Sequence, residues 1–229
     1  MAPLTLSAGC YVQSRDGFHY SRPGPGEPWP AQGYNLSRSH RVPFAPETSS
    51  FDRTRWNWAE VLSYAGAIAV HPDRLQLFLS GRSGHGEIAT GTATVRRDGF
   101  CAMATGNAPG TLTTKPLILG GRFIFVNLNG TARVSVLASP GAKAALPGYA
   151  ADLSVGATQR TDSTRLRLSW QQQTMLPQLK DGETIALRFE LGPDSELYSF
   201  WASEWSTGES GGFVAAGGPG FKGSRDVHM

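Results

Sequence analysis

The chain has 229 residues, a formal net charge of +3, 40% hydrophobic residues and 17% charged residues. This composition is typical of a globular protein, and the weak, scattered positive charge offers no electrostatic surface to a nucleic acid backbone. No stretch approaches the roughly 20 apolar residues of a membrane-spanning helix, and no signal peptide is recognisable. The sequence therefore predicts a partner that is neither nucleic acid nor membrane, and it leaves the localisation open.

Glycine (28 residues) and proline (15 residues) are abundant, and no long segment has a helical period, so the sequence predicts short strands joined by turns. The first segment, "GCYVQSRDGFHYSRP", predicts a hairpin that turns at Asp16 and Gly17. Residues 21–50 contain six prolines without a period, which indicates a long surface loop.

The next segment, "RWNWAEVLSYAGAIAV", places Trp56 and Trp58 just before a buried strand. The run "AIAVHPDRLQLFLSGR" predicts a second hairpin with Pro72 and Asp73 at its turn, and "IATGTATVRR" predicts a further strand. Three or four strands in a meander are expected in this part of the chain.

After Gly99 the sequence predicts six alternating strands, separated by Gly, Pro, Asn and Asp residues. These are "TLTTKPLIL", "GRFIFVNLN", "ARVSVLAS", "TRLRLSWQ", "TIALRFEL" and "ELYSFWAS". Their alternation is typical of a half-buried antiparallel sheet, and their number and spacing favour a β-sandwich. The final Gly-rich stretch has too few apolar side chains to offset its ordering entropy. We expect an incomplete first domain over residues 1–97, a sandwich over 98–205 and a disordered tail over 206–229.

Three stretches together resemble a known group of proteins. They are "SRDGFHYSRP", "RWNWAEVLSYAGAIAVHPDRLQLFLSGR" and the long run that begins "TGTATVRRDGFCAM" and ends "LYSFWAS". They are similar to the C-terminal part of bacterial proteins related to family 32 and family 43 glycoside hydrolases, in which a five-bladed β-propeller precedes a β-sandwich. The resemblance runs from about Tyr11 to Ser203. It implies an all-β fold, with partial β-propeller blades followed by an antiparallel β-sandwich.

The resemblance also implies what this chain lacks. Propeller glycosidases hydrolyse sugars with two carboxylates that face each other across a central funnel. The blades that carry those acids have no counterpart here, and the family's Arg-Asp-Pro motif is not matched, because Gly17 follows Arg15 and Asp16. We therefore expect a glycosyl-hydrolase-like protein that binds or acts on carbohydrate without a complete catalytic site. The exposed edges of incomplete blades would offer surfaces for self-association.

Five residues are candidates for chemistry on a sugar. Glu60 and Asp16 are the weak catalytic candidates, although an Asp-Gly turn explains Asp16 equally well as a fold element. Trp56, Trp58 and Arg82 are the substrate-binding candidates, because an aromatic ring can stack on a sugar while charged groups bind its hydroxyls. Alternatively, the two tryptophans close a hydrophobic core and Arg82 is simply solvated.

The sequence predicts no cofactor and no metal site, since the five histidines share no ligand spacing. Two alternatives to a glycosidase relative remain open. The chain is a non-catalytic carbohydrate-binding or assembly module, or it is the truncated product of a gene for a full-length propeller glycosidase.

Overall fold

The computed structural model describes residues 13–14, 20–21, 59–71, 73–82, 85, 87–97, 99, 102–211 and 226. This part of the chain is all-β, with antiparallel strands, no α-helix and a single 3-10 turn at Ala151–Leu153. No helix among the described residues has the length and apolar composition needed to cross a bilayer.

The chain divides into two compact units, an upstream unit (Met1–Arg96) and a downstream unit (Arg97–Met229). The junction predicted after residue 97 lies beside this division. Each unit contains its own antiparallel sheets.

The upstream unit contains a short hairpin and a three-stranded sheet. The hairpin pairs β1 (Gln13–Ser14) with β2 (Tyr20–Ser21). The sheet consists of β3 (Ala59–Val70), β4 (Arg74–Arg82) and β5 (Ile88–Arg96), and β4 lies in its centre. The β3–β4 connection falls where the sequence predicts a turn, and a 2.8 Å hydrogen bond from the His71 N–H to the Arg74 carbonyl closes it.

The downstream unit contains two antiparallel sheets. Its strands are β6 (Met103–Ala104), β7 (Gly110–Thr113), β8 (Phe123–Gly130), β9 (Ala132–Leu137), β10 (Ser154–Val155), β11 (Thr161–Trp170), β12 (Ala186–Leu191) and β13 (Glu196–Ser203). One sheet has the order β10-β11-β8-β13-β6, and the other has the order β7-β12-β9.

The two downstream sheets share one hydrophobic core. Val126 and Leu128 of the five-stranded sheet belong to the same buried cluster as Val134, Leu187 and Phe189 of the three-stranded sheet. Alternate residues of each strand point to opposite faces, so this cluster takes one face of each sheet. Packing of the two faces removes apolar surface from water and is the main stabilising term for this unit.

Trp170 anchors one side of this core. Its ring is 1% exposed and meets the Tyr149 ring edge-on at 4.9 Å. Its indole N–H donates a 2.9 Å hydrogen bond to the Val134 carbonyl, so its polar atom is satisfied inside the core. Burial raises the pKa of the Tyr149 hydroxyl above its ordinary value, and the positive charge of Arg122 opposes this effect.

The edges of these sheets are short or covered. β6 and β10, the edge strands of the five-stranded sheet, have two residues each. The outer edge of β9 is bonded by the following loop, because the Val136 N–H donates to the Tyr149 carbonyl and the Leu146 N–H donates to the Val136 carbonyl. Such edges resist pairing with other chains.

Residues 205–211 cover part of the outer face of the five-stranded sheet. The indole N–H of Trp201 donates to the Gly208 carbonyl at 3.0 Å, and the Ser203 hydroxyl donates to the Glu209 carbonyl at 2.6 Å. The Ser210 N–H and hydroxyl both donate to the buried Asp226 carboxylate. Gly208, Glu209 and Asp226 are therefore buried within the region predicted as a disordered tail. The remainder of that tail lies outside the described residues.

Candidate functional site

The structure places two of the predicted site residues at the same end of the upstream sheet. Glu60 is the second residue of β3, and Arg82 is the last residue of β4. The register pairs Arg82 with Ala59 on one side and with Ile88 on the other. Asp16, Trp56 and Trp58 lie outside the described residues, so their proposed roles remain predictions.

The upstream sheet has an apolar face and a polar face. Along β4, Leu75 is buried at 2% exposure, whereas the neighbouring Arg74 and Gln76 are exposed or half-buried. Along β5, three threonines two residues apart are exposed, and Val95 on the opposite face is half-buried. This alternation follows from the two-residue period of a strand, which sends successive side chains to opposite faces.

Six side chains of the polar face form a regular array, which we call the threonine face. Its members are Gln76, Phe78 and Ser80 of β4 and Thr90, Thr92 and Thr94 of β5. The register is uninterrupted, with Thr90 opposite Ser80, Thr92 opposite Phe78 and Thr94 opposite Gln76. Directly opposed side chains on one face have Cβ atoms about 4.5–5.5 Å apart, so all six belong to one continuous surface.

The six members of the threonine face carry no charge and five of them have hydrogen-bonding side chains, while the pair Arg74 and Arg96 borders them on the same face. Thr90, Thr92 and Thr94 are exposed, and each hydroxyl both donates and accepts. Phe78 is half-buried and lies opposite Thr92 on the neighbouring strand, so its partly exposed side chain stands beside these hydroxyls. A flat apolar ring framed by neutral donors and acceptors matches a sugar ring, which has an apolar C–H face and a rim of hydroxyls.

None of the candidate residues chosen from the sequence belongs to this surface. Those candidates were charged residues and tryptophans, whereas the described surface consists of Thr, Ser, Gln and a single Phe. The signal was present in "IATGTATV", where threonine occupies every second position. A two-residue repeat of one polar residue type puts all of its copies on one face of a strand.

The described residues provide no cluster of three or more His, Cys, Asp or Glu side chains that could hold a metal ion. Comparisons of the chain with models of protein families, with curated proteins and with solved structures return no match.

Proposed function

We propose that this chain is a carbohydrate-binding relative of the family 32 and family 43 glycosidases that has lost the hydrolytic centre. In this proposal the threonine face of the upstream sheet binds a neutral polysaccharide. The observation that carries the proposal is the exposed array of three threonines beside the partly exposed ring of Phe78.

The architecture proposed for the chain is a remnant of propeller blades followed by a β-sandwich. A propeller blade is a four-stranded antiparallel sheet, and the meander of β3, β4 and β5 has the connectivity of three strands of such a blade. The shared core of the two downstream sheets supports a sandwich for the second part. The three sequence stretches quoted above support the relationship to the glycosidases.

The proposed loss of hydrolysis has support in the chemistry of the same face. Glycoside hydrolysis needs two carboxyl groups on opposite sides of the scissile bond. The six residues of the threonine face include no acid, and the nearby Asp73 carboxylate forms a surface ion pair with Arg74 at 3.1 Å. Hydroxyl and amide groups can hold a sugar in place, but without an adjacent base they supply neither a general acid nor an activated nucleophile.

Affinity electrophoresis through gels that contain xylan, arabinan or a fructan tests this proposal. We expect at least one of these neutral polysaccharides to retard the protein. We expect the variant Phe78→Ala to lose about tenfold in affinity, since burial of an aromatic side chain against a ligand contributes roughly 1.5 kcal/mol. The exposed Ile118 of the downstream unit provides the matched control, because Ile118→Ala also shortens an apolar side chain but lies outside the threonine face.

Thr92→Val keeps the test decisive if Phe78→Ala destabilises the sheet. Thr92 is exposed and lies opposite Phe78, and valine has nearly the same shape as threonine but no hydroxyl. We expect a severalfold loss of affinity, because one hydrogen bond contributes about 0.5–1.5 kcal/mol. The proposal fails if no neutral polysaccharide retards the folded protein, or if both face variants migrate like the wild type.

A further inference from the structure

The downstream unit contains a cleft of about 380 Å³ at one end of its three-stranded sheet, which we call the end cleft. β7 and β9 begin at this end of the sheet, and β12 finishes there. The lining residues carry three hydroxyls, one guanidinium and one carboxylate. These polar residues are Thr111, Thr131, Thr158, Arg133 and Glu190.

Three of these polar side chains form a row across the sheet. Glu190 on the central strand lies opposite Thr111 on one side and opposite Arg133 on the other. All three residues are exposed, and their side chains share the face that points away from the core. A hydroxyl, a carboxylate and a guanidinium are therefore presented side by side, one strand spacing apart.

The charged groups of this row are available to a ligand. In the described part of the chain, neither the Arg133 guanidinium nor the Glu190 carboxylate has a hydrogen bond or an ion pair. Both charges lie at the solvent-exposed mouth of the cleft, so neither needs an internal partner to offset desolvation.

The wall behind this row is held by a network around Ser195. The Ser195 hydroxyl, which is buried, accepts a 3.0 Å hydrogen bond from the Thr131 N–H. The Thr105 hydroxyl donates to the Gly192 carbonyl at 2.6 Å and accepts from the Ser195 N–H at 2.9 Å. Because these bonds fix the loops that carry Thr131 and Gly192, the cleft is formed before any ligand arrives, which lowers the entropy cost of binding.

We propose that the end cleft binds a small uncharged polyol, such as a monosaccharide. The Glu190 carboxylate accepts hydrogen bonds from two neighbouring hydroxyls, the Arg133 guanidinium donates to ligand oxygens, and the threonine hydroxyls complete the set. The adjacent charges are equal and opposite, so the site favours neither an anion nor a cation. This inference does not depend on the threonine face, because the end cleft belongs to the other unit and uses no aromatic ring.

Titration of the ¹⁵N-labelled full chain with D-xylose, L-arabinose, D-fructose and D-glucose tests this inference by NMR. We expect at least one sugar to shift the amide signals of Thr111, Thr131, Arg133 and Thr158, with a dissociation constant on the order of 1 mM, since hydrogen bonds alone hold the ligand. Glu190→Gln and Arg133→Gln should each weaken binding about tenfold, because hydrogen bonds to charged groups are the stronger ones. Glu204→Gln and Arg165→Gln remove exposed charges outside the cleft and should leave the dissociation constant unchanged.

Glycine and sodium acetate serve as charged probes in the same titration. The inference is overturned if no sugar shifts these amides, if glycine or acetate shifts them more than every sugar does, or if the two cleft variants bind like the wild type. If the sugar shifts are confined to residues 74–96, the proposal for the end cleft is wrong and the proposal for the threonine face is retained. If a sugar shifts the amide signals of the end cleft but no polysaccharide retards the protein, the proposal for the threonine face is wrong and the proposal for the end cleft is retained.

Discussion

Replacing Trp170 with Ala is expected to destabilise the downstream unit by about 4 kcal/mol or more. Removal of a large buried aromatic side chain costs about 3–5 kcal/mol, because the cavity left behind closes only in part. The Trp170 ring is 1% exposed, and its loss would also leave the Val134 carbonyl without a hydrogen bond inside the core. Whole domains have free energies of unfolding of only about 5–15 kcal/mol, so this single change would remove a large part of the stability of the downstream unit.

Native-state hydrogen exchange measures this effect for the downstream unit alone. We expect the slowest amides of β8 and β12 to lose about a thousandfold in protection, because each 1.4 kcal/mol corresponds to a factor of ten. The control is Ile118→Ala, which shortens an apolar side chain that is 73% exposed and should change protection less than threefold. Equal protection in Trp170→Ala and the wild type would show that the core is not built around this ring.

Replacing Gly130 with Ala is expected to have an effect of similar size, about 4 kcal/mol. Gly130 has a φ of 128°, which L-residues rarely adopt, and this strain costs about 1–3 kcal/mol. An added Cβ would also lie 2.5 Å from the Cβ of Ser195 and 2.6 Å from its Cα, so the backbone at Ser195 would have to shift. The shift would break the hydrogen bond between the Thr131 N–H and the Ser195 hydroxyl that holds one wall of the end cleft.

Gly182→Ala separates the two contributions to this effect. Gly182 also has a positive φ, of 79°, but no atom lies within 4 Å of an added Cβ. We expect Gly182→Ala to cost about 1 kcal/mol, the strain of the backbone alone. Urea unfolding followed by circular dichroism compares the two variants with the wild type. Equal midpoints for both variants would mean that the contact between Gly130 and Ser195 is not tight.

The long strands of the fold could be predicted from the sequence, because their alternation is a local property. The strand predicted from "GRFIFVNLN" corresponds to β8 at Phe123–Gly130, and the strand predicted from "ELYSFWAS" corresponds to β13 at Glu196–Ser203. "TLTTKPLIL" gave a strand only as far as Thr113, since Lys115 and Pro116 follow and a proline cannot donate to the ladder. Thr114 still donates its N–H to the Leu187 carbonyl of β12, and beyond the proline Leu117 forms a bridge to Ile185, the residue just before β12.

The parts that could not be predicted depend on long-range partners. β6 and β10 have two residues each, too few to show a period, and they exist because longer strands offer them an edge. The carbonyls of Gly208 and Glu209 are held by the side chains of Trp201 and Ser203. An argument from the composition of the tail does not include these contacts. The threonine face depends on pairing between β4 and β5, so Phe78 and Thr92 become neighbours only once the register is known.

We propose that this chain binds a neutral carbohydrate without cleaving it. The most direct measurement incubates the purified chain with xylan, arabinan and fructan and follows, on the same samples, both retention of the protein and release of reducing ends. We predict retention by at least one polysaccharide and a release rate no higher than that of the uncatalysed control. Sustained release of sugars by the wild type that is abolished in Glu60→Gln would contradict the account, because it would place a working catalytic carboxylate in this chain.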